Sequence, residues 1–162
     1  MNLVSVGTLL LLLGTVPALA DRACSKLAWP LDSERTLLNR QSETLQSGAT
    51  VSNLPGSALT LALSVGATLP HATTKPVDPA KFAGYVELPA EPAGDVFVSL
   101  SAEAWIDIIQ DGTLLASTAF TGDANCPGLR KSVRFTLSGS PATLQISNAV
   151  ANSIRIAITR AP

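Results

Sequence analysis

Residues 153–159, Ser-Ile-Arg-Ile-Ala-Ile-Thr, decide the fold, because isoleucine alternates with polar or small residues along the whole stretch. Successive side chains of a β-strand point to opposite faces, so Ile154, Ile156 and Ile158 share one face. The pattern predicts a strand with one buried face. The same alternation occurs at 58–65, where leucine or valine occupies every second position.

Strands of similar length are predicted along much of the chain, with turn residues between them. The pair Asp111-Gly112 is a strong hairpin signal between two of these strands. About eight short strands predict an all-β fold, an antiparallel β-sandwich of jelly-roll type with polar faces in solvent. The predicted strands span 58–65, 82–88, 95–100, 105–110, 113–120, 131–137, 142–147 and 153–159.

Three segments outside the strands have their own composition. Residues 30–38 begin with Pro30 and contain three leucines, which predicts a short N-terminal helical segment. Residues 69–81 contain three prolines among small polar residues and predict a loop. A second loop is predicted at 121–128.

The first 20 residues predict export. They contain no charged side chain, and they end in Ala18-Leu19-Ala20, an A-x-A pattern of the kind that signal peptidase cleaves. Their apolar run is shorter than the roughly 20 residues of a membrane span. We expect 1–20 to be a signal peptide and 21–162 to be one β-sandwich domain. The mature domain would be periplasmic or secreted, with no membrane span after signal cleavage.

Two alternatives to a cleaved signal peptide stay open. One is an N-terminal anchor that is not cleaved. The other is a lipoprotein modified at Cys24, although Asp21-Arg22-Ala23 is not the small or apolar run that such signals have.

Cys24 and Cys126 are the two cysteines of the chain, and both belong to the mature part. In an oxidising compartment they form the one possible intramolecular disulfide. Closing so long a loop stabilises a fold by about 4–5 kcal/mol in the chain-entropy model. The alternative is a redox or metal-binding thiol pair, which the absence of C-x-x-C spacing disfavours.

Composition and motifs argue against several function classes. A net charge of −1 with both signs mixed gives no electrostatic basis for binding nucleic acid. The single histidine, His71, cannot form a two-His-one-carboxylate iron site, a three-His zinc site or an H-E-x-x-H motif. No G-x-S-x-G is present. We therefore assign no catalytic residue and no metal ligand.

Acidic residues supply the one cofactor alternative. Asp107 and Asp111 lie four apart, with Asp95, Glu103 and Asp123 nearby in the sequence. Carboxylate oxygens are the ligands that Ca²⁺ prefers. Since no ordered D-x-D-x-D-G loop occurs, the expectation is no cofactor, with calcium as the alternative.

A polar cluster is the candidate site. Strand alternation places Trp105 and Asp107 on one face, and a half-buried carboxylate there needs a partner. We expect an ion pair from Asp107 to Arg130 or Lys131, the alternative being a solvated Asp107. Together with Asp111, these residues form the predicted binding or structural cluster.

Two motifs carry a resemblance to a known group. Residues 104–112 (AWIDIIQDG) and 126–135 (CPGLRKSVRF), with a cysteine soon after a signal peptide, resemble small exported proteobacterial proteins of unknown activity. Some of these proteins carry the label homogentisate dioxygenase. That label implies iron held by two histidines and a carboxylate, which the single His71 does not supply.

Residues 93–100, followed by the Trp105 strand, are similar to bacterial pre-peptidase C-terminal domains, which are β-sandwich accessory or binding modules. The sequence thus predicts a non-catalytic binding or accessory protein of the cell envelope. Its partner is expected to be an envelope protein, a glycan or a small ligand. An enzyme of the iron oxygenase type is the alternative.

Overall fold

The computed structural model describes residues 23–52 and 56–162, so the predicted signal peptide lies outside the described residues. Within these ranges, no helix has the length and apolar character needed to cross a membrane. The described chain contains the helix α1 (Asp32–Asn39) and eleven strands. The strands are β1 (Thr44–Leu45), β2 (Ser57–Ala62), β3 (Ser64–Val65), β4 (Phe82–Leu88), β5 (Gly94–Leu100), β6 (Trp105–Gln110), β7 (Thr113–Leu114), β8 (Ala119–Gly122), β9 (Lys131–Leu137), β10 (Ala142–Ala149) and β11 (Ser153–Arg160).

The strands form two sheets that confirm the predicted all-β sandwich. One sheet has six strands in the order β1-β2-β11-β5-β9-β8, and the other has five in the order β3-β4-β10-β6-β7. Apart from the parallel pair β1–β2, neighbouring strands are antiparallel. From β2 onward the chain passes repeatedly from one sheet to the other, which is the jelly-roll arrangement.

The prediction was least accurate where the chain changes sheets. The predicted strand 58–65 is divided between β2 in one sheet and β3 in the other. The predicted strand 113–120 is divided in the same way between β7 and β8, and β8 extends into the predicted loop 121–128. Alternation of side chains continues through such a crossing, so the pattern alone does not reveal it.

The core lies between the two sheets and follows the predicted alternation. Ile154, Ile156 and Ile158 of β11 are all buried there. They pack with the inward residues of β5 and with Ile106 and Ile108 of β6. Burying an aliphatic side chain of this size stabilises a fold by roughly 1.5–3 kcal/mol, so these alternating rows supply much of the driving force for the sandwich.

The outer face of the six-stranded sheet is covered by the N-terminal segment and α1. Trp29 stacks on Phe97 with ring centroids 5.3 Å apart. On α1, the buried Glu34 accepts a 2.5 Å hydrogen bond from the Thr159 hydroxyl. The predicted disulfide between Cys24 and Cys126 is confirmed, and it ties this segment to the β8–β9 loop across 102 positions of sequence.

The outer face of the five-stranded sheet is covered by the proline-rich loop 66–81. The Gln145 side chain of β10 accepts a hydrogen bond from the backbone N–H of His71 at 2.9 Å and donates one to its carbonyl at 3.3 Å. Asn148 donates to the Pro76 carbonyl in the same way. At β10 the prediction of a solvated polar face was therefore wrong, since these polar side chains anchor the covering loop instead.

Candidate functional site

An open cleft lies where the edges of the two sheets separate. The edge strands β7 and β8 belong to different sheets, and residues 115–118 cross between them. A cavity of about 550 Å³ lies at this crossing. We call it the Trp105 cleft. Its lining includes Lys75, Trp105, Leu115, Phe120, Lys131 and Phe135.

A second cavity of about 350 Å³ adjoins the Trp105 cleft, since Lys75, Trp105, Phe120 and Lys131 line both. We call this second cavity the rim pocket. It is also lined by Lys81, Glu103 and Arg130, among others.

Asp107 lies at the side of the cleft and is only 3% exposed. Its carboxylate accepts hydrogen bonds from the Thr74 hydroxyl at 2.5 Å, the Thr74 backbone N–H at 3.3 Å and the Trp105 Nε1–H at 3.2 Å. Trp105 Nε1 also lies 2.6 Å from the Thr74 hydroxyl oxygen. The buried charge is thus stabilised by neutral donors, two of them from the covering loop.

The expected ion pair from Asp107 to Arg130 or Lys131 was wrong. Arg130 pairs instead with Glu103, with 2.8 Å between its Nη2 and the carboxylate oxygen. That hydrogen bond, helped by the guanidinium charge, lowers the pKa of the Glu103 carboxyl. Alternation could not foresee the donors to Asp107, because they come from a loop with no periodic pattern.

Lys131 has an unusual position for a lysine. It begins β9 on the same face as Val133 and Phe135, which belong to the core between the sheets. Burial of the ammonium group lowers the pKa of Lys131 to about 8, although the Glu103 carboxylate acts in the opposite direction. Lys131 is therefore a cation at the first position of an otherwise apolar row.

Two ammonium groups approach the indole of Trp105. Lys75 Nζ lies 3.8 Å from the ring centroid and Lys131 Nζ lies 5.1 Å from it. Both distances are within the range of cation–π attraction. The half-buried Trp105 is consequently a partner for lysines, and the ring face below Lys75 is not open to a sugar.

Asp111 does not join the other members of the predicted cluster. It lies in the β6–β7 turn with a φ of 52°, followed by Gly112 at 73°, as the hairpin signal predicts. Its nearest hydrogen-bond contact is the Ser138 hydroxyl at 3.5 Å. The structure therefore brings Trp105, Asp107, Arg130 and Lys131 around the cleft and the rim pocket and leaves Asp111 outside.

The sequence prediction missed Thr74, Lys75 and Phe120. Thr74 and Lys75 lie in a loop whose position over the sheet no local pattern encodes. Phe120 lies opposite the core residue Val133 in the β8–β9 pair and therefore points to the inward side of the sheet, yet at this edge strand it is 77% exposed. A large exposed aromatic side chain beside a cleft is a candidate contact for a ligand.

The side chains do not fit an iron centre of the dioxygenase type. The chain has one histidine, His71, which is exposed in the covering loop. Across 23–52 and 56–162, no group of three or more histidine, cysteine, aspartate or glutamate side chains could hold a metal ion. The acidic residues considered for calcium have separate surroundings: Asp95 pairs with Arg134, and Asp123 accepts from backbone N–H groups near the disulfide.

Comparisons with known proteins do not assign a family. No protein-family model matches the chain, and no curated protein matches it. One similar solved structure is a β-glucosidase from Paenibacillus barengoltzii, with 13% identity and a TM-score of 0.28. The match covers 72% of this chain but only 13% of the β-glucosidase chain. Similarity at this level indicates neither a common family nor a common activity.

Proposed function

We propose that this protein is a non-catalytic ligand-binding protein of the cell envelope, periplasmic or secreted, and that the Trp105 cleft is its binding site. The disulfide between Cys24 and Cys126 is compatible with an oxidising, exported location. A small ligand is favoured over the protein and glycan partners also expected from the sequence.

The cleft itself carries the proposal. Its volume of about 550 Å³ falls within the range of roughly 300–1,000 Å³ that is typical of small-molecule sites. Such sites combine mostly apolar walls with a few polar groups, and this cleft joins apolar side chains to Lys75 and Lys131. The outer faces of both sheets are largely occupied by the N-terminal segment and by loop 66–81, which leaves this opening for a ligand.

The proposal is tested by identifying what the protein carries. The chain is purified under native conditions from the envelope fraction of its own cells, and small molecules released by denaturation are identified by mass spectrometry. Ala116→Trp fills the cleft from its exposed lip, whereas Ala151→Trp adds the same side chain at an exposed turn away from the described cavities.

We expect a molecule in near-stoichiometric amount with the wild type and with Ala151→Trp, and its loss with Ala116→Trp. Absence of any such molecule from the wild type, or its retention by the well-folded Ala116→Trp variant, would overturn the proposed site.

A further inference from the structure

Two cations of the Trp105 cleft lack an acidic partner. In the part of the chain that the structure describes, neither Lys75 nor Lys131 forms an ion pair. The nearby Glu103 is held by Arg130, and Asp107 is held by Thr74 and Trp105. Both ammonium groups lie against the indole instead, so the site has positive charge available for an anion.

Apart from Thr74, Asp107 and Ser117, the remaining walls of the cleft are apolar. Ile106, Val133 and Phe135 belong to the core and close the inner end, while Leu115 and the exposed Phe120 form the outer part. A free inorganic anion would leave these apolar walls exposed to water. A ligand that is complementary to both the lysines and the apolar walls has a charged end and an apolar body.

We propose, building on the function proposed above, that the ligand is a small amphiphilic carboxylate. Its carboxylate binds the ammonium groups of Lys75 and Lys131, and its aliphatic or aryl body packs on Leu115, Phe120 and Phe135. Charge-assisted hydrogen bonds to a carboxylate are stronger than a half-exposed cation–π contact, so the ligand displaces Trp105 as the partner of the lysines.

Two other kinds of ligand fit the cleft less well. A neutral glycan needs an open aromatic face and free hydrogen-bonding groups, but Lys75 covers Trp105, and Thr74 and Asp107 bond to each other. An added peptide strand needs a long free edge, and β8 has only four residues.

The class of ligand is tested by isothermal titration calorimetry of the mature, disulfide-bonded protein with matched pairs of probes. Octanoate and 1-octanol share an aliphatic body, and 2-naphthoate and 2-naphthol share an aryl body. At pH 7 we expect at least one acid to bind tenfold or more tightly than its alcohol. Which acid binds better distinguishes an aliphatic from an aryl source of the carboxylate.

Two substitutions test separately the binding of the charged end and of the apolar body of the ligand. Lys131→Met should weaken binding of the preferred acid at least tenfold while leaving binding of the alcohol within about twofold. Lys26→Met, at an exposed position outside the cleft, is the matched control and should change neither affinity. Phe120→Ala should weaken acid and alcohol by a similar factor, since it removes only apolar contact.

The pH dependence provides a second readout with octanoate. Burial lowers the pKa of Lys131 to about 8; among its charged neighbours, Glu103 and Asp107 act against this, whereas Lys75 and Arg130 add to it. Octanoate keeps its negative charge over the whole range from pH 7 to 9.5, whereas Lys131 loses its positive charge within that range. The affinity of the protein for octanoate should therefore fall as the pH rises from 7 to 9.5. The affinity for 1-octanol should stay constant over the same range.

The outcomes distinguish the two proposals. If acids and alcohols bind equally and Lys131→Met has no effect, the proposal of a carboxylate ligand is wrong, while the proposal that the cleft binds a small ligand is retained. If no probe binds and the molecule that the natively purified protein carries, and that Ala116→Trp loses, has no carboxylate, the class is again wrong. If no probe binds and no molecule is carried, both proposals fail.

Discussion

Replacing Lys131 by methionine should stabilise the fold at neutral pH and remove one component of its pH dependence. Lys131 lies on the core-facing side of β9, where burial lowers its pKa from the ordinary 10.5 to about 8. Each unit of pKa difference between the folded and unfolded states corresponds to about 1.4 kcal/mol. The upper limit is therefore about 3.5 kcal/mol, and partial solvent contact reduces the expected gain to about 1–2 kcal/mol.

The sign of the pH dependence follows from the two protonation states. Below pH 8 both the folded and the unfolded chain carry the charged ammonium, so the wild type bears the full cost of burying it. Between pH 8 and 10.5 the folded protein loses this proton while the unfolded chain keeps it, and wild-type stability rises relative to the variant. Methionine fills a similar volume without a charge. The advantage of the variant should thus be largest at pH 7 and should nearly vanish by pH 10.5.

Urea denaturation followed by circular dichroism at pH 7, 8, 9, 10 and 10.5 measures this difference. Only the difference in unfolding free energy between variant and wild type is interpreted, because contributions from groups common to both proteins cancel in it. Lys26→Met, at an exposed position, should show no pH-dependent difference. A Lys131→Met variant that is less stable at pH 7, or whose advantage does not change with pH, would refute the burial of a charged Lys131.

Two further predictions concern the segments that cover the sheets. Asp107→Ala should lower the unfolding free energy by about 1–3 kcal/mol and make loop 66–81 more sensitive to limited proteolysis. Asp107→Asn should have a smaller effect on both. Unchanged cleavage of the loop in Asp107→Ala would contradict the anchoring role of Asp107. Replacing Cys24 and Cys126 together by alanine should cost about 2–5 kcal/mol and increase amide exchange first in the N-terminal segment. Equal exchange gains throughout the sandwich would contradict a local role for the disulfide.

Alternation predicted the strands well because each strand buries one face in a common core. The Ile154, Ile156 and Ile158 row is buried as expected, and β4, β6 and β9 have the predicted bounds. The disulfide was predictable because only two cysteines exist. The two-residue strand β1 was missed, since two residues carry no periodicity and its pairing with β2 depends on a distant segment.

The candidate site was predictable only in part, for a physical reason. Lys131 interrupts an apolar alternation, which is a signal the sequence does contain. The partner of Asp107 was not predictable, because Thr74 reaches it from a loop 33 positions away whose path is fixed by contacts with the sheet. Alternation likewise predicted that the polar face of β10 is in solvent. A strand pattern shows which face is polar, but it does not show which segment covers that face.

The covering segments explain why the cleft lies at an edge of the sandwich. The N-terminal segment, fastened by the disulfide, occupies one outer face, and loop 66–81 occupies the other. The jelly-roll order leaves β7 and β8 as edge strands of different sheets joined by the short crossing at 115–118, so the sheets separate there. The cleft draws its residues from loop 66–81, β6, the crossing, β8 and β9. Because the topology assembles it from five separate segments, no local sequence motif marks it, and its positive end depends on Asp107 holding the loop that carries Lys75.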